Sequence, residues 1–264
     1  MKNNKLCKSC SGRLSEFNDE EIIADGFCPY CVDEKGNLKN YGDILQMMIE
    51  YIEQEHVEID KKERLSTAQK WLREGEVWKD KFITDDIIID RIREGDLERI
   101  KVHKHKKEGF SHSCGECMYY QNCKDSLKSK KKWLSKMKLK YGNCANVLYH
   151  DQNLVGYIQY APKKEFPKLE ELEAKSTDTG DWYISCIYID DIVSKEDKKS
   201  FTLLLIKHVI LDLKKRKAKA AQISAPIKEG IISSTPFNWG FYEKIGFVEI
   251  GHDEEYVVGK LNLN

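Results

Sequence analysis

A nearly continuous apolar run, interrupted only by Ser185, predicts a central strand at residues 182–189, WYISCIYI. Aromatic and β-branched residues fill this run, and that composition suits a pleated strand that is at least half buried. Asp190 and Asp191 then end the run abruptly. We therefore expect a buried strand that stops at residue 189.

A helix is predicted directly after this strand. Ser194, followed three residues later by Asp197, is typical of a helix N-cap with an acidic first turn. From 201 to 213 apolar residues occupy nearly every face, which indicates a largely buried helix. A helix N-terminus beside a sheet presents unsatisfied backbone N–H groups, so this turn is a natural anion site.

The flanking patterns predict further elements in a consistent order. They are a strand within 82–92, a short helix, a hairpin at 146–160 with the turn DQN, a strand at 222–226, a loop at 227–235, and a short helix with two strands at the C-terminus. Together these elements predict an α+β fold with a mixed, mostly antiparallel sheet flanked by helices. We expect this domain to span residues 84–264.

Two close cysteine pairs lie at the front of the chain, Cys7-x-x-Cys10 and Cys28-x-x-Cys31, with 17 residues between them. Each pair can form a tight knuckle and offer two thiolates to one tetrahedral ion, so the spacing predicts a structural zinc site. The alternative is two local redox pairs or four unrelated cysteines. Residues 1–35 are too few to fold on an apolar core, so we expect them to be largely disordered without the metal.

Two short amphipathic helices are predicted after these cysteines. Apolar residues recur at helical spacing at Ile44, Met47, Met48, Tyr51 and Ile52, and again at Ala68, Trp71 and Leu72. Exposed methionines can form an interaction surface. We favour core packing for this spacing, with the module extending to residue 80.

Composition narrows the function classes less than the patterns do. Among the 264 residues, 44 basic side chains balance 44 acidic ones, so net charge favours neither a nucleic-acid partner nor an acidic one. An apolar run of about 18 residues and a signal-peptide core are both missing from the sequence, so we expect a cytoplasmic protein without a membrane partner. Nine cysteines in such a compartment indicate metal ligands or reduced thiols rather than disulfides.

A second group of metal-ligating residue types follows in the middle of the chain. It comprises His112, Cys114, Cys117 and Cys123. This spacing does not demand zinc, because no distant pair completes the site. A second metal, a redox pair at Cys114 and Cys117, and reduced thiols lining a pocket all stay open, and we favour the reduced thiols. Cys144 and Cys186 lie in strand patterns and are expected to be small buried residues.

Eight lysines share residues 124–140 with Trp133, Leu134, Met137 and Leu139. Basic residues interleaved with an aromatic residue can attract phosphate, in nucleic acid or in a coenzyme. The solvated face of an amphipathic helix explains the same pattern, and we favour that interpretation. Shorter basic patches occur at 101–107 and 214–219.

The front of the chain resembles a known accessory module. The segments CKSC, GFCPYCVDEKGNLKNYGDILQMMIEYI and AQKWL are similar to the zinc-ribbon module that begins various bacterial proteins, over about residues 5–80. This resemblance implies a zinc-stabilised accessory domain and says little about its ligand. We expect a protein partner as one use of this domain.

Three segments of the second half resemble the GCN5-related N-acetyltransferase (GNAT) family, over about residues 84–264. They are VLYHDQNLVGYIQYAP, CIYIDD followed by LLLIKHVILDLKKRKAKAAQISA, and FYEKIGF. The resemblance implies that the backbone of Ile187, Tyr188 and Ile189 binds the pantetheine arm of acetyl-CoA. It also implies that the next turn holds the pyrophosphate and that Tyr242 protonates the leaving thiolate. A core aromatic residue is the alternative for Tyr242.

One departure from that family lies in the pyrophosphate turn. Family members usually have glycines there, which let backbone amides approach the phosphates closely. Residues 194–202 contain no glycine, and Glu196 and Asp197 would repel a diphosphate. Compensating groups are Lys198, Lys199, Ser200 and Thr202.

The sequence thus supports two hypotheses. The first is a zinc-ribbon-fused N-acetyltransferase that moves the acetyl group of acetyl-CoA to an amine acceptor. The second is a degenerate GNAT-fold binding protein that recognises protein or nucleic acid through the zinc ribbon and the lysine patches. We favour the enzyme; the patterns do not identify its acceptor or its general base.

Overall fold

The structure is a computed structural model that describes residues 5–100, 102–104, 111–170, 180–231 and 233–263. The chain divides into two compact units. The first comprises Met1–Asp96 with Leu148–Leu154, and the second comprises Leu97–Val147 with Val155–Asn264. The functional domains expected at 1–80 and 84–264 stay a prediction.

The first unit contains two helices, α1 (Tyr41–Glu55) and α2 (Arg64–Glu74), followed by strand β1 (Ile87–Arg91). Asn40 caps α1, because its side-chain oxygen accepts the backbone N–H of Asp43 at 2.9 Å. Met48 is buried and Met47 half-buried, so Met48 belongs to the core, as the helical spacing predicts. The other buried apolar side chains of these two helices are Tyr41, Ile44, Leu45, Ile52, Ala68 and Leu72.

The remaining elements follow in chain order. They are α3 (Asp96–Arg99), β2 (Val102–Lys104), β3 (Ser111–Ser113), α4 (Leu127–Tyr141), β4 (Ala145–His150), β5 (Asn153–Pro162), β6 (Trp182–Ile189), α5 (Lys195–Lys215), β7 (Ala220–Pro226), α6 (Trp239–Lys244), β8 (Val248–His252) and β9 (Tyr256–Asn262). The central strand has the predicted bounds, and its helix begins directly after the predicted N-cap.

Seven strands form one sheet in the order β1-β4-β5-β6-β7-β9-β8, and β2 pairs with β3 in a separate ribbon. Strand β6 runs antiparallel to β5 and parallel to β7, and β9 is antiparallel to both β7 and β8. The predicted α+β class, a mixed and mostly antiparallel sheet flanked by helices, is confirmed. Within the described ranges no helix combines the length and apolar character that crossing a bilayer requires.

Helices α4 and α5 bring apolar side chains to the core of the second unit. Met137 of α4 packs in a buried cluster with Phe166 and Tyr183. Helix α5 buries Phe201, Leu205, Ile206, Val209 and Leu213 on one face, whereas Leu211 is exposed, so the expectation of a largely buried helix is wrong for its opposite face. The central strand is therefore covered, with seven of its eight residues buried.

Candidate functional site

The central strand and its parallel neighbour pair over only a short length. Strand β6 pairs with β7 from Trp182 to Ile184, whereas its pairing with β5 continues to Ile189. Where the β7 pairing ends, backbone groups of β6 become available to another partner. The predicted coenzyme-binding residues Ile187, Tyr188 and Ile189 lie in this region, and all three are buried.

A short loop segment, residues 233–235, contacts both strands at this position. The backbone N–H of Ile187 donates to the carbonyl oxygen of Ser234 at 2.8 Å. The Thr235 hydroxyl donates to the carbonyl of Ser224 in β7 at 3.2 Å, and the Tyr120 hydroxyl lies 3.0 Å from the Ser234 hydroxyl. The central strand thus bonds to the protein's own loop where the resemblance implies a coenzyme.

The N-terminus of α5 is capped by its own residues. The Ser194 hydroxyl accepts the backbone N–H of Asp197 at 3.1 Å and donates to the Asp197 carboxylate at 2.8 Å. Lys198 forms an ion pair with Asp191 at 2.7 Å. The helix spans 21 residues, so its dipole favours an anion at this end, and Asp197 already supplies a negative charge there.

The four compensating residues of this turn point in different directions. Lys198 is half-buried, whereas Lys199 and Ser200 are exposed. Thr202 is fully buried, and its hydroxyl has no hydrogen-bond partner among the described residues. Side chains accessible to a phosphate are therefore those of the first turn, and Thr202 faces the interior.

Tyr242 lies on α6 and is fully buried. Its hydroxyl oxygen has no partner with hydrogen-bond geometry among the described residues. Burial raises the pKa of this hydroxyl above its ordinary value, although Thr235 and the backbone of Phe237 lie near enough to lower it somewhat. Tyr242 therefore keeps its proton at neutral pH, as an acid must. Its contact with the ring of Phe247, at 6.4 Å between centroids, equally suits a core aromatic residue.

Lys130 on α4 is a buried lysine that the sequence reasoning did not single out. Its side-chain nitrogen donates to the carbonyl of Cys117 at 2.9 Å and lies 5.6 Å from the ring centroid of Tyr157. In the sequence it is one of eight lysines, most of which are exposed here as the solvated-helix interpretation predicts. Its spacing of four and seven residues from the buried Leu134 and Met137 was the available signal.

The second cysteine group does not come together as a metal site in the part of the chain that the structure describes. Cys114 is buried, Cys117 is half-buried, and the exposed Cys123 donates its thiol hydrogen to the Gln121 carbonyl at 3.3 Å. The side chain of His112 lies outside the described residues, as does most of the basic patch at 101–107.

The four N-terminal cysteines do come together. The sulfur atoms of Cys7, Cys10, Cys28 and Cys31 lie within 4.8 Å of one another, and three of the four residues are buried. A tetrahedral zinc ion with Zn–S bonds of about 2.3 Å needs sulfurs roughly 3.8 Å apart, so this cluster fits one. The Cys28 backbone N–H also donates to the Cys7 sulfur at 3.3 Å, and such hydrogen bonds orient ligands around a metal.

The turn that carries Cys7 and Cys10 packs against the segment that follows α2. The buried indole N–H of Trp78 donates to the Ser9 hydroxyl at 2.9 Å, and the Val77 N–H donates to the Lys8 carbonyl at 2.9 Å. A Cβ atom on Gly75 would lie 2.1 Å from the Ser9 carbonyl oxygen. Only glycine therefore fits at position 75.

Comparison with known proteins gives matches only among solved structures. No family model and no curated protein matches the chain. An N-acetyltransferase from Staphylococcus aureus Mu50 has 12% identity and a TM-score of 0.46, covering 68% of this chain and 99% of its own.

Two further matches are also N-acetyltransferases. The ribosomal-protein-alanine N-acetyltransferase from Brucella melitensis has 15% identity and a TM-score of 0.43, covering 67% of this chain and 99% of its own. The PaiA N-acetyltransferase from Thermoplasma acidophilum, in complex with coenzyme A, has 13% identity and a TM-score of 0.40, covering 67% and 98%. These values are too low to transfer an activity, so the function of this chain has to be inferred from its own residues.

Proposed function

We propose that this protein is an N-acetyltransferase that moves the acetyl group of acetyl-CoA to an amine, and that its four-cysteine module is a zinc-stabilised accessory domain. The observation that supports it most is the early end of the β6–β7 pairing, after Ile184, directly before a long helix. Backbone groups of a central strand and a helix N-terminus are then adjacent, which suits an extended ligand with a phosphate end. The sequence resemblance to GNAT enzymes covers the same elements.

The proposed acetyl transfer needs only a few groups of the protein. The backbone N–H of Ile187 would hold the pantetheine arm, and the amine would attack the thioester carbonyl. The protonated, buried hydroxyl of Tyr242 suits the acid that meets the departing sulfur. Cytoplasmic location, the acceptor amine and any protein partner of the cysteine module stay predictions.

Coenzyme binding at Ile187 requires the segment 233–235 to move, because the Ser234 carbonyl occupies that N–H. The exchange replaces one hydrogen bond with another, so its net cost is small, on the order of 1 kcal/mol. The backbone of β6 at Ile187 is therefore covered by a contact that a ligand carbonyl can displace.

The direct test is a calorimetric titration of the zinc-loaded protein with acetyl-CoA at low and moderate salt. We expect micromolar binding that weakens with salt, since the phosphates must be held by Lys198 and Lys199. The double variant Lys198→Ala/Lys199→Ala should weaken binding, and Lys132→Ala on α4 should not. No binding at millimolar acetyl-CoA would exclude the enzyme.

A second candidate is a GNAT-like protein that has lost its coenzyme and recognises protein or nucleic acid instead. Two observations favour it: the Ser194 hydroxyl already caps α5 beside the Asp197 carboxylate, and the Ser234 carbonyl already accepts the backbone N–H of Ile187. Failure to bind acetyl-CoA, combined with a salt-dependent gel shift on nucleic acid, would support it, since phosphate contacts weaken steeply with ionic strength.

The zinc proposal has its own test. Zinc would supply no redox chemistry, only the cross-link that lets a segment with little core fold. Elemental analysis of purified protein should give about one zinc per chain. A double variant of Cys114 and Cys117 to serine should keep that zinc, whereas Cys28→Ser should lose it.

A further inference from the structure

Lys130 is a buried amine that the proposed mechanism does not yet use. Its side chain is 1% exposed, inside the second unit. An ammonium group has three hydrogens to donate, yet among the described residues Lys130 has a single hydrogen-bond acceptor, the Cys117 carbonyl, and one ring face, that of Tyr157. The ammonium form of Lys130 therefore has more hydrogens than the described residues around it can accept.

The neutral amine fits these surroundings better. It has two hydrogens, one for the Cys117 carbonyl and one for the ring face, and its lone pair stays free. Burial lowers the pKa of Lys130 from its ordinary value, which favours this form. The groups that face it and raise its pKa, by less, are Cys186, Cys117, Cys114 and Asp125.

The nearby polar side chains are already paired with each other. The Tyr157 hydroxyl donates to Gln159 at 2.8 Å, and the Gln159 amide donates to the Ser185 hydroxyl at 2.8 Å. Burial raises the pKa of Tyr157 well above its usual value, so this hydroxyl keeps its proton and offers no phenolate that could act as a base. Among these side chains, the Lys130 nitrogen is the one with a basic lone pair to spare.

Lys130 also lies beside the part of β6 that the coenzyme would use. In the β5–β6 register, Tyr157 stands opposite Tyr188, and Gln159 stands opposite Cys186. Ile187, which would hold the pantetheine arm, is between those two positions. Lys130, which contacts the Tyr157 ring, therefore lies on the face of the sheet that carries Tyr188 and Cys186, beside the backbone of Ile187.

We propose that Lys130 is the general base that takes the proton from the acceptor amine, an inference that rests on the proposed acetyltransferase function. The acceptor ammonium gives one proton to the Lys130 nitrogen, and the freed lone pair forms the C–N bond to the acetyl carbon. The C–S bond breaks, and the leaving sulfur takes a proton from Tyr242. The nitrogen of the new amide gives its second proton to the Tyr242 oxygen, Lys130 passes its proton to solvent, and one proton is released overall.

The test compares Lys130→Met, an apolar side chain of similar length, with Lys132→Met, an exposed lysine on the same helix. We expect Lys130→Met to lower kcat by about a hundredfold or more with little change in the KM for acetyl-CoA. Lys132→Met should match the wild type. Circular dichroism and the melting temperature establish that both variants are folded.

The pH profile separates a base from a structural lysine. The pH dependence of kcat/KM should be measured with two acceptor amines of different pKa. One limb of this profile should shift with the pKa of the acceptor. A second limb should keep its position with both acceptors and disappear in Lys130→Met. NMR of lysine labelled with ¹³C at Cε should show one signal, absent in Lys130→Met, that titrates at the pH of that second limb and below the ordinary lysine value of about 10.4. Added ethylamine should partly restore the activity of Lys130→Ala.

Three results would overturn the assignment of Lys130. They are an active Lys130→Met with an unchanged pH profile, a Lys130 signal that titrates at the ordinary value, and a stable acetyl adduct on Lys130 in mass spectra, which would remove its lone pair. If the wild type binds no acetyl-CoA and acetylates no amine, the proposed function fails and the base assignment fails with it. An active wild type with any of the three results removes the base assignment alone.

Discussion

Replacing Tyr242 by phenylalanine should make the protein more stable and less active. The Tyr242 hydroxyl is fully buried and has no hydrogen-bond partner among the described residues. An unsatisfied buried hydroxyl costs about 1–3 kcal/mol, so its removal should raise the free energy of unfolding by about 1 kcal/mol after the loss of packing. For a chain of this size, that corresponds to a rise in melting temperature of about 2–4 °C.

Turnover should move the other way. If the hydroxyl protonates the leaving thiolate, Tyr242→Phe should lower kcat by about a hundredfold while acetyl-CoA affinity stays nearly constant. A rise in stability with unchanged turnover would mean that Tyr242 is a core residue alone. The two readouts come from one variant, so a folding defect cannot be mistaken for a catalytic one.

Tyr160→Phe is the matched control. The Tyr160 hydroxyl is also buried, but it donates to the Asp212 carboxylate at 2.7 Å. Removing a hydrogen bond to a charged group should cost about 1.5–3 kcal/mol. Urea unfolding followed by circular dichroism should therefore give opposite signs for the two variants. A Tyr242→Phe protein destabilised as much as Tyr160→Phe would refute the reasoning, because the Tyr242 hydroxyl would then have a partner.

Three further predictions concern the metal, the Ser234 contact and pH. Cys28→Ser, or a strong chelator, should unfold the cysteine module and spare residues 84–264, and joint loss of both in proteolysis would show one cooperative unit. Tyr120→Phe frees the Ser234 side chain and should tighten acetyl-CoA binding up to about fivefold by calorimetry, since a lost hydrogen bond is worth about 1 kcal/mol, whereas weaker binding would contradict this. Burial raises the pKa of Asp96 to about 7, so the native state holds this proton between about pH 4 and 7 and stability should fall as pH rises through that window. Asp96→Asn should flatten that slope in urea titrations at a series of pH values, and an unchanged slope would assign it elsewhere.

The elements whose signals are local were predictable. The central strand at 182–189 and the Ser194 cap of α5 depend on residues a few positions apart, and the structure has both. The clustering of the four N-terminal cysteines could also be predicted from the sequence, because two cysteine pairs with metal-ligand spacing favour one shared site.

The contacts that decide the function are not local. The hydrogen bond from Ile187 to Ser234 joins a strand to a loop far along the chain, and no spacing rule links them. Burial of Lys130 likewise depends on what α4 packs against. The sequence shows Lys130 at helical spacing from the apolar residues of α4. Because it lies in a lysine-rich segment, the composition predicted an exposed side chain. Whether Tyr242 is an acid or a core residue depends on its hydroxyl partners, which a motif does not encode.

The packing of Ser9, in the Cys7–Cys10 turn, against Gly75 and Trp78 limits how this module can be engineered. The cysteine pairs at residues 7–31 cannot be moved to another protein by themselves, because the surface that receives the Ser9 carbonyl and hydroxyl comes from residues 75–78. The smallest transplantable version must run to residue 78 at least and keep Gly75. In such a transplanted module the fluorescence of the buried Trp78 indole would report metal binding, because the indole contacts Ser9, the residue next to Cys10.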